Sequence, residues 1–271
     1  MKRFLFFILI SFFFFSHLSF AGQLNPEKKL KEWGPFISRQ QGNVYAESEY
    51  EYGWVSIGPR KTNWKWLSNT VLYPVRGQLP YIQINYHQRD RVDDYTLDFG
   101  SYLNLKNSTL QIENGFGMNI DYIYKYHLTL NYEHPLYKHL RGNQGLRYLH
   151  YTAGDTYLMS PGFIYYFGNH DITASYNIVE TEARRVAHSG TVRLRYSLVS
   201  DRLHVSCGAG LGQRLYDIYP LNPSKQSGFL LFAGLDMRVF QNLRGNVGYA
   251  YGEENPNFIK RSINAGFSFK F

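Results

Sequence analysis

Apolar and polar residues alternate with a period of two along most of the chain from residue 44 to residue 271. In the clearest segment, residues 122–133, tyrosines and leucines alternate with polar residues. This period is that of a β-strand whose two faces meet different surroundings. The pattern predicts about fourteen consecutive antiparallel strands of about ten residues, each long enough to cross a bilayer at a tilt. Twelve strands is the alternative, because the segments 62–74 and 156–166 alternate weakly, and the faces of 142–152 and 156–166 stay unassigned.

The end of the chain carries the same alternation and closes on an aromatic residue. From Ile263 onward every second residue is apolar, and Asn264 and Gly266 stand between them. This segment resembles the terminal strand by which the barrel-assembly machinery recognises bacterial outer-membrane barrels. It predicts that machinery as a partner during insertion, with Asn264, Gly266, Phe269 and Phe271 as the assembly signal. A terminal strand of a soluble sandwich is the alternative.

The connections between the predicted strands differ in length. Those after even-numbered strands are tight, as at Lys106-Asn107. Those after late odd-numbered strands are longer, at residues 180–188, 214–226 and 252–258. Short periplasmic turns and long outer loops are typical of outer-membrane barrels, and an even number of strands places both barrel ends in the periplasm.

Two features favour a membrane barrel over a soluble barrel with its apolar face inside. The apolar faces carry many Tyr and Trp residues, as do the aromatic girdles at membrane interfaces. The polar faces combine glycines with charges of both signs, which suits a crowded interior. Closure of the sheet also removes its edges. The predicted fold class is therefore an all-β, antiparallel transmembrane β-barrel.

The N-terminus predicts export. A short basic head precedes a strongly apolar run, residues 4–15, and Ser19 and Ala21 place small residues at the positions that a signal peptidase reads. The run is shorter than the roughly 20 apolar residues of a spanning anchor, so cleavage is favoured. We expect a signal peptide over 1–21, a polar periplasmic linker over 22–43 and the barrel over 44–271.

The charge of the chain limits the classes of binding partner, and its cysteine content bears on disulfide bonds. The chain has 29 Lys and Arg against 21 Asp and Glu, a net charge of +8. An exported chain does not meet nucleic acid, so this balance favours anionic lipopolysaccharide in the lipid bilayer, a polysaccharide or a small anionic solute. Cys207 is the only cysteine, so no internal disulfide can form. The alternation predicts that Cys207 faces lipid.

Charged residues at polar positions line the predicted lumen. A candidate basic strip consists of Arg193, Arg195, Arg238 and Arg244. The other lumen-lining candidates are Glu113, Lys125, Glu133 and Asp236, while Glu47, Glu49 and Glu51 lie near the seam between the first and last strands. Two interpretations stay open. The charges could line a passage that prefers anions or sugar acids. They could instead form salt bridges that fill the interior, which is favoured because buried charges need partners.

A short glycine repeat lies in one late strand. Gly208, Gly210 and Gly212 follow the Gly-x-Gly pattern of dinucleotide sites, but the spacing and context do not fit, since no helix is predicted after them. The repeat predicts a lumen-facing strip without side chains. Such a strip leaves room for bulky neighbours or for an inward-folded loop at 213–226.

An outer-membrane enzyme acting on lipid or lipopolysaccharide is the alternative function. Its candidate residues are His87 with Asp93 and Asp94 at an outer loop, and His188 beside Ser189, since catalysis needs a base near a nucleophile or water. Adjacent strand residues face opposite ways, so His188 and Ser189 make a poor dyad. No residue spacing suggests a metal site. We predict no catalytic residue and no cofactor.

Five short stretches carry a family resemblance. They are Leu-Asn-Tyr-Glu-His-Pro-Leu at 130–136, Gly-Leu-Arg-Tyr-Leu-His-Tyr at 145–151, Ser-Pro-Gly-Phe-Ile-Tyr-Tyr-Phe at 160–167, Gly-Ala-Gly-Leu-Gly-Gln at 208–213 and Phe-Lys-Phe at 269–271. Over roughly residues 45–271, the chain resembles the YaiO family of outer-membrane barrels. The resemblance implies a barrel in the outer membrane without established catalytic residues. Some members carry a periplasmic helical-repeat domain, for which 22–43 is too short, and some occur alongside polysaccharide-synthesis functions.

Taken together, these patterns predict a non-catalytic outer-membrane barrel. We expect either a narrow channel or a structural component of the envelope, linked to surface polysaccharide or to solute passage.

Overall fold

The computed structural model of the chain describes residues 44–75, 77–182, 186–200, 202–213, 227–254 and 258–271. The predicted signal peptide and linker lie outside these residues. Within them, the chain forms 14 strands that close into one antiparallel barrel. The predicted fold class is confirmed, and the alternative of twelve strands is wrong because both weakly alternating segments form full strands of the wall.

The strands follow one another around the barrel in chain order. They are β1 (Tyr45–Ile57), β2 (Arg60–Leu72), β3 (Gln78–Arg89), β4 (Val92–Leu105), β5 (Ser108–Met118), β6 (Tyr126–Tyr137), β7 (Leu140–Tyr151), β8 (Gly154–Phe167), β9 (His170–Thr181), β10 (Val186–Val199), β11 (Leu203–Gly212), β12 (Gly228–Arg238), β13 (Leu243–Glu254) and β14 (Phe258–Lys270). No helix in the described ranges is long and apolar enough to span a membrane.

The barrel closes where β1 pairs with β14. Tyr45 lies opposite Lys270 and Ile57 lies opposite Phe258, so the seam runs the full length of both strands. We call the end that holds Tyr45 and Lys270 the terminal rim and the opposite end the distal rim. Both ends of the barrel chain lie at the terminal rim, as an even number of strands requires.

Strand number and tilt set the width of the lumen. Fourteen strands spaced about 4.8 Å apart and tilted by about 40° give a barrel about 28 Å across between opposite backbones. Side chains from the facing walls fill part of this width. Their sizes therefore decide how much space remains.

The turns between strands are mostly tight. Asp90 and Lys106 adopt left-handed backbone conformations, with φ of 60° and 56°, as tight turns between antiparallel strands require. Two of the predicted long loops are shorter than expected, because β9 extends to Thr181 and β13 extends to Glu254. The predicted loop at 214–226 lies outside the described residues.

The apolar stripe of each strand points outward. Ile82, Val192 and Leu231 expose half of their surface on the outer wall, with exposed fractions of 50%, 52% and 51%. Trp54 near the distal rim and Tyr137 at the terminal rim are also exposed. An apolar outer band with aromatic residues towards the rims matches lipid and its interfaces.

The inner faces of β7 and β8 explain their weak alternation. Leu149 lies opposite Thr156, and Leu158 lies opposite both Arg147 and Val179, so apolar residues share the inner wall with polar ones. Leu149 is only 1% exposed. These apolar side chains pack inside the barrel. The alternation of apolar and polar residues is therefore weak in these two strands.

The sixth strand begins later than its alternation predicts. β6 starts at Tyr126, and residues 119–125 form a loop instead. Asn119 adopts a left-handed conformation with φ of 55° and ends the preceding strand. The prediction that Tyr122 and Tyr124 belong to a strand is wrong, because the backbone of this loop bonds to an inner-wall carboxylate.

Candidate functional site

Glu113 on β5 is the centre of a hydrogen-bond network on the inner wall. Tyr81 donates its hydroxyl to Glu113 Oε2 at 2.5 Å, and His127 Nε2 donates to Glu113 Oε1 at 3.0 Å. Gln111 Nε2 donates to the Tyr81 hydroxyl oxygen at 2.8 Å. Both carboxylate oxygens of Glu113 are therefore engaged, one by a side chain of β3 and the other by a side chain of the adjacent β6.

Asp98 on β4 forms the second half of this network. Asn85 Nδ2 donates to Asp98 Oδ2 at 2.6 Å, and the Tyr124 hydroxyl donates to Asp98 Oδ1 at 3.4 Å. His127 Nδ1 lies 3.9 Å from Asp98 Oδ1, and the imidazole is 1% exposed. One buried imidazole thus lies between two carboxylates, which suits charges that need partners in a confined space.

The network needs a glycine beneath its imidazole. A methyl group on Gly115 would meet Asp98 Oδ1 and the His127 ring, so only glycine allows the ring to approach this closely. We expect Gly115→Ala to lower the free energy of unfolding by about 1–3 kcal/mol through overpacking. Urea unfolding of the refolded barrel, followed by tryptophan fluorescence, measures this loss.

Gly190→Ala is the matched control for that substitution. Gly190 also lies in a strand, but the nearest heavy atom to an added methyl group there is Ser175 O at 3.8 Å. We expect a change within about 0.5 kcal/mol for the control. Equal losses for the two variants would contradict the close contact at Gly115.

Asp94 holds the 119–125 loop inside the barrel. Its carboxylate accepts hydrogen bonds from the backbone N–H groups of Asp121, Tyr122 and Ile123, at 2.9, 3.0 and 3.1 Å. Asp94 is fully buried and Ile123 is 7% exposed. Three donors on one carboxylate satisfy backbone groups that would otherwise lack partners in the lumen.

Aromatic and cationic side chains anchor the same loop. The Arg89 guanidinium lies 4.4 Å from the centre of the Tyr122 ring and 4.6 Å from that of Trp64. Burial raises the pKa of Tyr122, and burial and then nearby Asp98 raise that of Tyr124. Both phenols therefore stay neutral at physiological pH.

A cavity of about 260 Å³ lies between this loop and the inner faces of β2 to β7. We call it the loop cavity. Its wall combines aromatic rings, two arginines, two acids and neutral polar groups, including Trp66, Asn85, Arg89, Asp98, Glu113, Tyr122, Tyr124 and Arg147. A concave site of this composition can bind a small polar molecule.

The predicted basic residues of β10 lie together on the inner wall. Arg195 Nε donates to Asp171 Oδ2 at 2.6 Å, and Arg193 Nη2 lies 3.7 Å from Asp171 Oδ1. Asp171 is buried, whereas the Arg193 side chain is 49% exposed to the lumen. One acid serves two arginines, so a net positive charge remains on this wall.

The other predicted lumen charges form separate groups. Arg244 Nη1 lies 3.6 Å from Asp236 Oδ1, and Arg238 is opposite Arg244 beside the terminal rim. This pair of arginines is distinct from the β10 pair, so the structure places the four in two groups. Glu133 binds Arg141 Nε at 2.8 Å, and Lys125 is an exposed residue of the 119–125 loop and not of a strand.

The acidic residues predicted near the seam lie on its inner face. Asn264 Nδ2 donates to Glu49 Oε1 at 3.0 Å, and Lys260 Nζ lies 2.5 Å from Glu51 Oε1. Glu47 lies opposite Ser268, two residues from Glu49 towards the terminal rim. Polar contacts therefore join the first and last strands from inside the barrel.

The residues of the predicted assembly signal lie on β14 and just after it. Asn264 contacts β1, while Gly266 lies against the Asn246 side chain of β13. The rings of Phe269 and Phe271 meet edge to face at 4.7 Å at the terminal rim. Recognition by the assembly machinery stays a prediction.

The candidate catalytic pairs do not form catalytic geometry. Asp94 lies opposite His87 on the inner wall, but its oxygens are occupied by the 119–125 loop. Asp93 points outward and accepts from the Tyr86 hydroxyl at 2.8 Å. His188 and Ser189 have separate partners on opposite faces, Tyr176 and Asn177. In the described ranges, no three His, Cys, Asp or Glu side chains could share a metal ion.

The glycine repeat on β11 has a bulky neighbour, as predicted. A methyl group on Gly208 would meet the ring of Phe232, which lies over this glycine on the inner wall. Cys207 next to it is exposed and pairs with Leu194 and Ala233 of the outer wall. The repeat thus makes room for a ring inside the barrel.

An apolar exterior, a polar lumen and an even number of antiparallel strands define a membrane β-barrel of the outer-membrane type. The model of a family described as "YaiO membrane beta barrel domain" matches residues 45–217, more than half of the chain. The chain therefore belongs to the YaiO family, as its short motifs predicted. No curated protein sequence matches it.

Solved structures with the same fold include a "Bacterial polysaccharide outer membrane secretin". The similarity has a TM-score of 0.62 at 11% identity, over 84% of this chain and 98% of that one. The "CymD monoaromatic hydrocarbon channel" has a TM-score of 0.58 at 8% identity, over 93% of this chain and 94% of that one. At these identities the likeness concerns the fold alone.

The sequence pattern does not indicate several residues of the site. Asn85, Asp98 and His127 alternate with apolar residues in the sequence, but nothing distinguishes them from the other polar residues of their strands. Their signal was positional, because with Glu113 they lie at polar positions of four consecutive strands, β3 to β6. Register between strands was needed to bring them together.

Proposed function

We propose that this outer-membrane barrel is a narrow passage for small polar solutes, with a preference for anions. The passage follows the inner face of β10 to β14. One observation carries the proposal: Arg193 is half-exposed on a lumen wall whose neighbouring strands bear mostly small inner residues. The sequence alone favours the alternative, a network of salt bridges that fills the interior. Asp171 does contact both arginines, but Arg193 stays exposed to the lumen.

Small side chains on the adjacent strands support this route. On β12 to β14 the inner positions include Gly234, Gly248, Ala250 and Gly266, and Asn246 is exposed. The Phe232 ring of β12, which lies over Gly208, is the bulky exception on this wall. The opposite wall carries the crowded network around Glu113 and the inward loop. The open half of the lumen is therefore the half that bears Arg193.

The two barrels of similar fold are named as a polysaccharide secretin and a hydrocarbon channel. Their names describe passages for different substances. The shared fold is therefore consistent with transport, and the residues that line the lumen determine which solute passes. Arg193 and Arg195 favour anions here, including sugar acids. We also propose that lipopolysaccharide surrounds the outer band and that the assembly machinery inserts the barrel through its terminal strand.

Conductance of the refolded barrel in a planar bilayer tests the passage. We expect steady openings whose anion preference falls about tenfold in the Arg193→Ala/Arg195→Ala variant, because each unit charge about 6 Å from an ion in water changes its energy by about 0.7 kcal/mol and the variant removes two. The measurement is the reversal potential across a salt gradient.

Arg261→Ala is the control, since Arg261 lies on the outer wall, 5.6 Å from the centre of the Tyr251 ring. It removes one positive charge without altering the lumen, and the anion preference should stay unchanged. A silent bilayer with a correctly folded barrel, or the same loss of preference in both variants, would refute the passage.

A further inference from the structure

The loop cavity has polar groups that the protein itself leaves unused. In the described part of the chain, the Tyr122 hydroxyl and Arg147 Nε are buried without a hydrogen-bond partner. Buried donors without partners are rare and costly in native proteins. Two of them on one cavity wall indicate that a bound molecule supplies their partners.

The acids of the cavity wall, Asp98 and Glu113, interact with the charge of Arg147 but accept no hydrogen bond from its Nε or from the Tyr122 hydroxyl. Asp98 is engaged by Asn85 and Tyr124, and Glu113 by Tyr81 and His127. The carboxylates are thus held by protein donors, whereas Nε of Arg147 has no acceptor in the described part of the protein. A guanidinium binds best to a carboxylate or phosphate, which it meets with two parallel hydrogen bonds.

Aromatic rings add a second requirement. Trp66, Tyr122 and Tyr124 line the same cavity, and the Arg147 guanidinium lies 6.0 Å from the centre of the Tyr124 ring. Aromatic faces stack well against the C–H face of a sugar ring. Asn85 and Gln83 supply amide groups of the kind that bind sugar hydroxyls. The volume of about 260 Å³ limits the ligand to a single sugar-sized unit.

We infer that the loop cavity is a binding site for one carboxylate-bearing sugar, a hexuronic acid unit. Arg147 binds the carboxylate, Tyr122 donates to or accepts from a ring hydroxyl, and the aromatic rings stack on the sugar. The site lies on the wall opposite Arg193, so it does not rest on the proposed passage.

Isothermal titration calorimetry of the refolded barrel in detergent tests this site. The probes are glucuronate, glucose and acetate. We expect glucuronate to bind at least about 10-fold more tightly than either control, since charge-assisted hydrogen bonds discriminate by that order. Arg147→Gln should lose about 10-fold in glucuronate affinity, and Arg147→Lys should lose less because it keeps the charge.

Arg261→Gln is the matched control, because it removes an arginine from the outer wall, beside the Tyr251 ring, and should leave glucuronate binding unchanged. Heat-modifiable gel mobility shows which variants are folded. Equal affinity for glucose or acetate, glucuronate binding unaffected by Arg147→Gln, or no binding at all by folded wild type would overturn the site. Neither calorimetry nor gel mobility measures conductance. A negative result for the binding site is therefore distinguishable from a negative result for the proposed passage.

Discussion

Asp94→Ala is expected to release the 119–125 loop from the wall and to raise the conductance of the barrel. The substitution removes the acceptor of three backbone N–H groups, at 2.9 to 3.1 Å, from a fully buried position. Each unsatisfied donor costs about 1–3 kcal/mol, so the closed loop should lose at least about 3 kcal/mol. Hydrogen exchange at residues 121–123 measures the release directly.

Asp93→Ala is the control. It removes a neighbouring negative charge near the distal rim without removing the acceptor that holds the loop. The Asp93 carboxylate accepts from Tyr86 and Gln88, while the contact from Asn119 goes to its backbone oxygen and survives the substitution. We expect unchanged protection of the loop in this control. If the amides of 121–123 stayed protected in the Asp94 variant, the carboxylate would not be what holds the loop.

Glu113→Ala is expected to cause the largest loss of stability in the barrel wall. It leaves the Tyr81 hydroxyl and the His127 imidazole without their acceptor, and His127 is 1% exposed. Leaving two buried donors without an acceptor costs about 1–3 kcal/mol for each. The measurement is the midpoint of urea unfolding together with heat-modifiable mobility. Glu113→Gln, which keeps one carbonyl acceptor, should recover part of the loss.

Glu133→Ala is the control on the neighbouring strand. Glu133 binds Arg141 at 2.8 Å near the terminal rim, where Arg141 Nη2 also donates to the Asn107 carbonyl oxygen. Because Arg141 keeps that second partner, we expect a loss of about 1 kcal/mol. Losses of equal size at Glu113 and Glu133 would show that the central network adds nothing beyond a peripheral ion pair.

The outcome for β6 shows how far an alternating pattern reaches. The tyrosines at 122 and 124 continue the period of the strand that follows, yet they belong to a loop. The alternation indicates which side chains are apolar. It does not indicate where the backbone leaves the barrel wall to form a loop. The carboxylate that bends this loop inward lies on β4, far away in sequence.

The lumen arginines illustrate the same limit. Their positions on polar faces were readable, because successive side chains of a strand point to opposite faces. Which acids they meet depends on the registers of β9 to β13, and those registers separate Arg193 and Arg195 from Arg238 and Arg244. A strip predicted from strand faces thus became two groups at different heights.

The sequence by itself determined the membrane barrel, its strand number within two and the faces of most strands, since lipid outside and polar lumen inside impose a period of two on every strand. The tertiary structure alone decided the buried imidazole between Glu113 and Asp98, the inward loop held by Asp94 and the loop cavity beneath it. These features join residues from different strands and a loop. They depend on register and loop path, which local alternation does not encode.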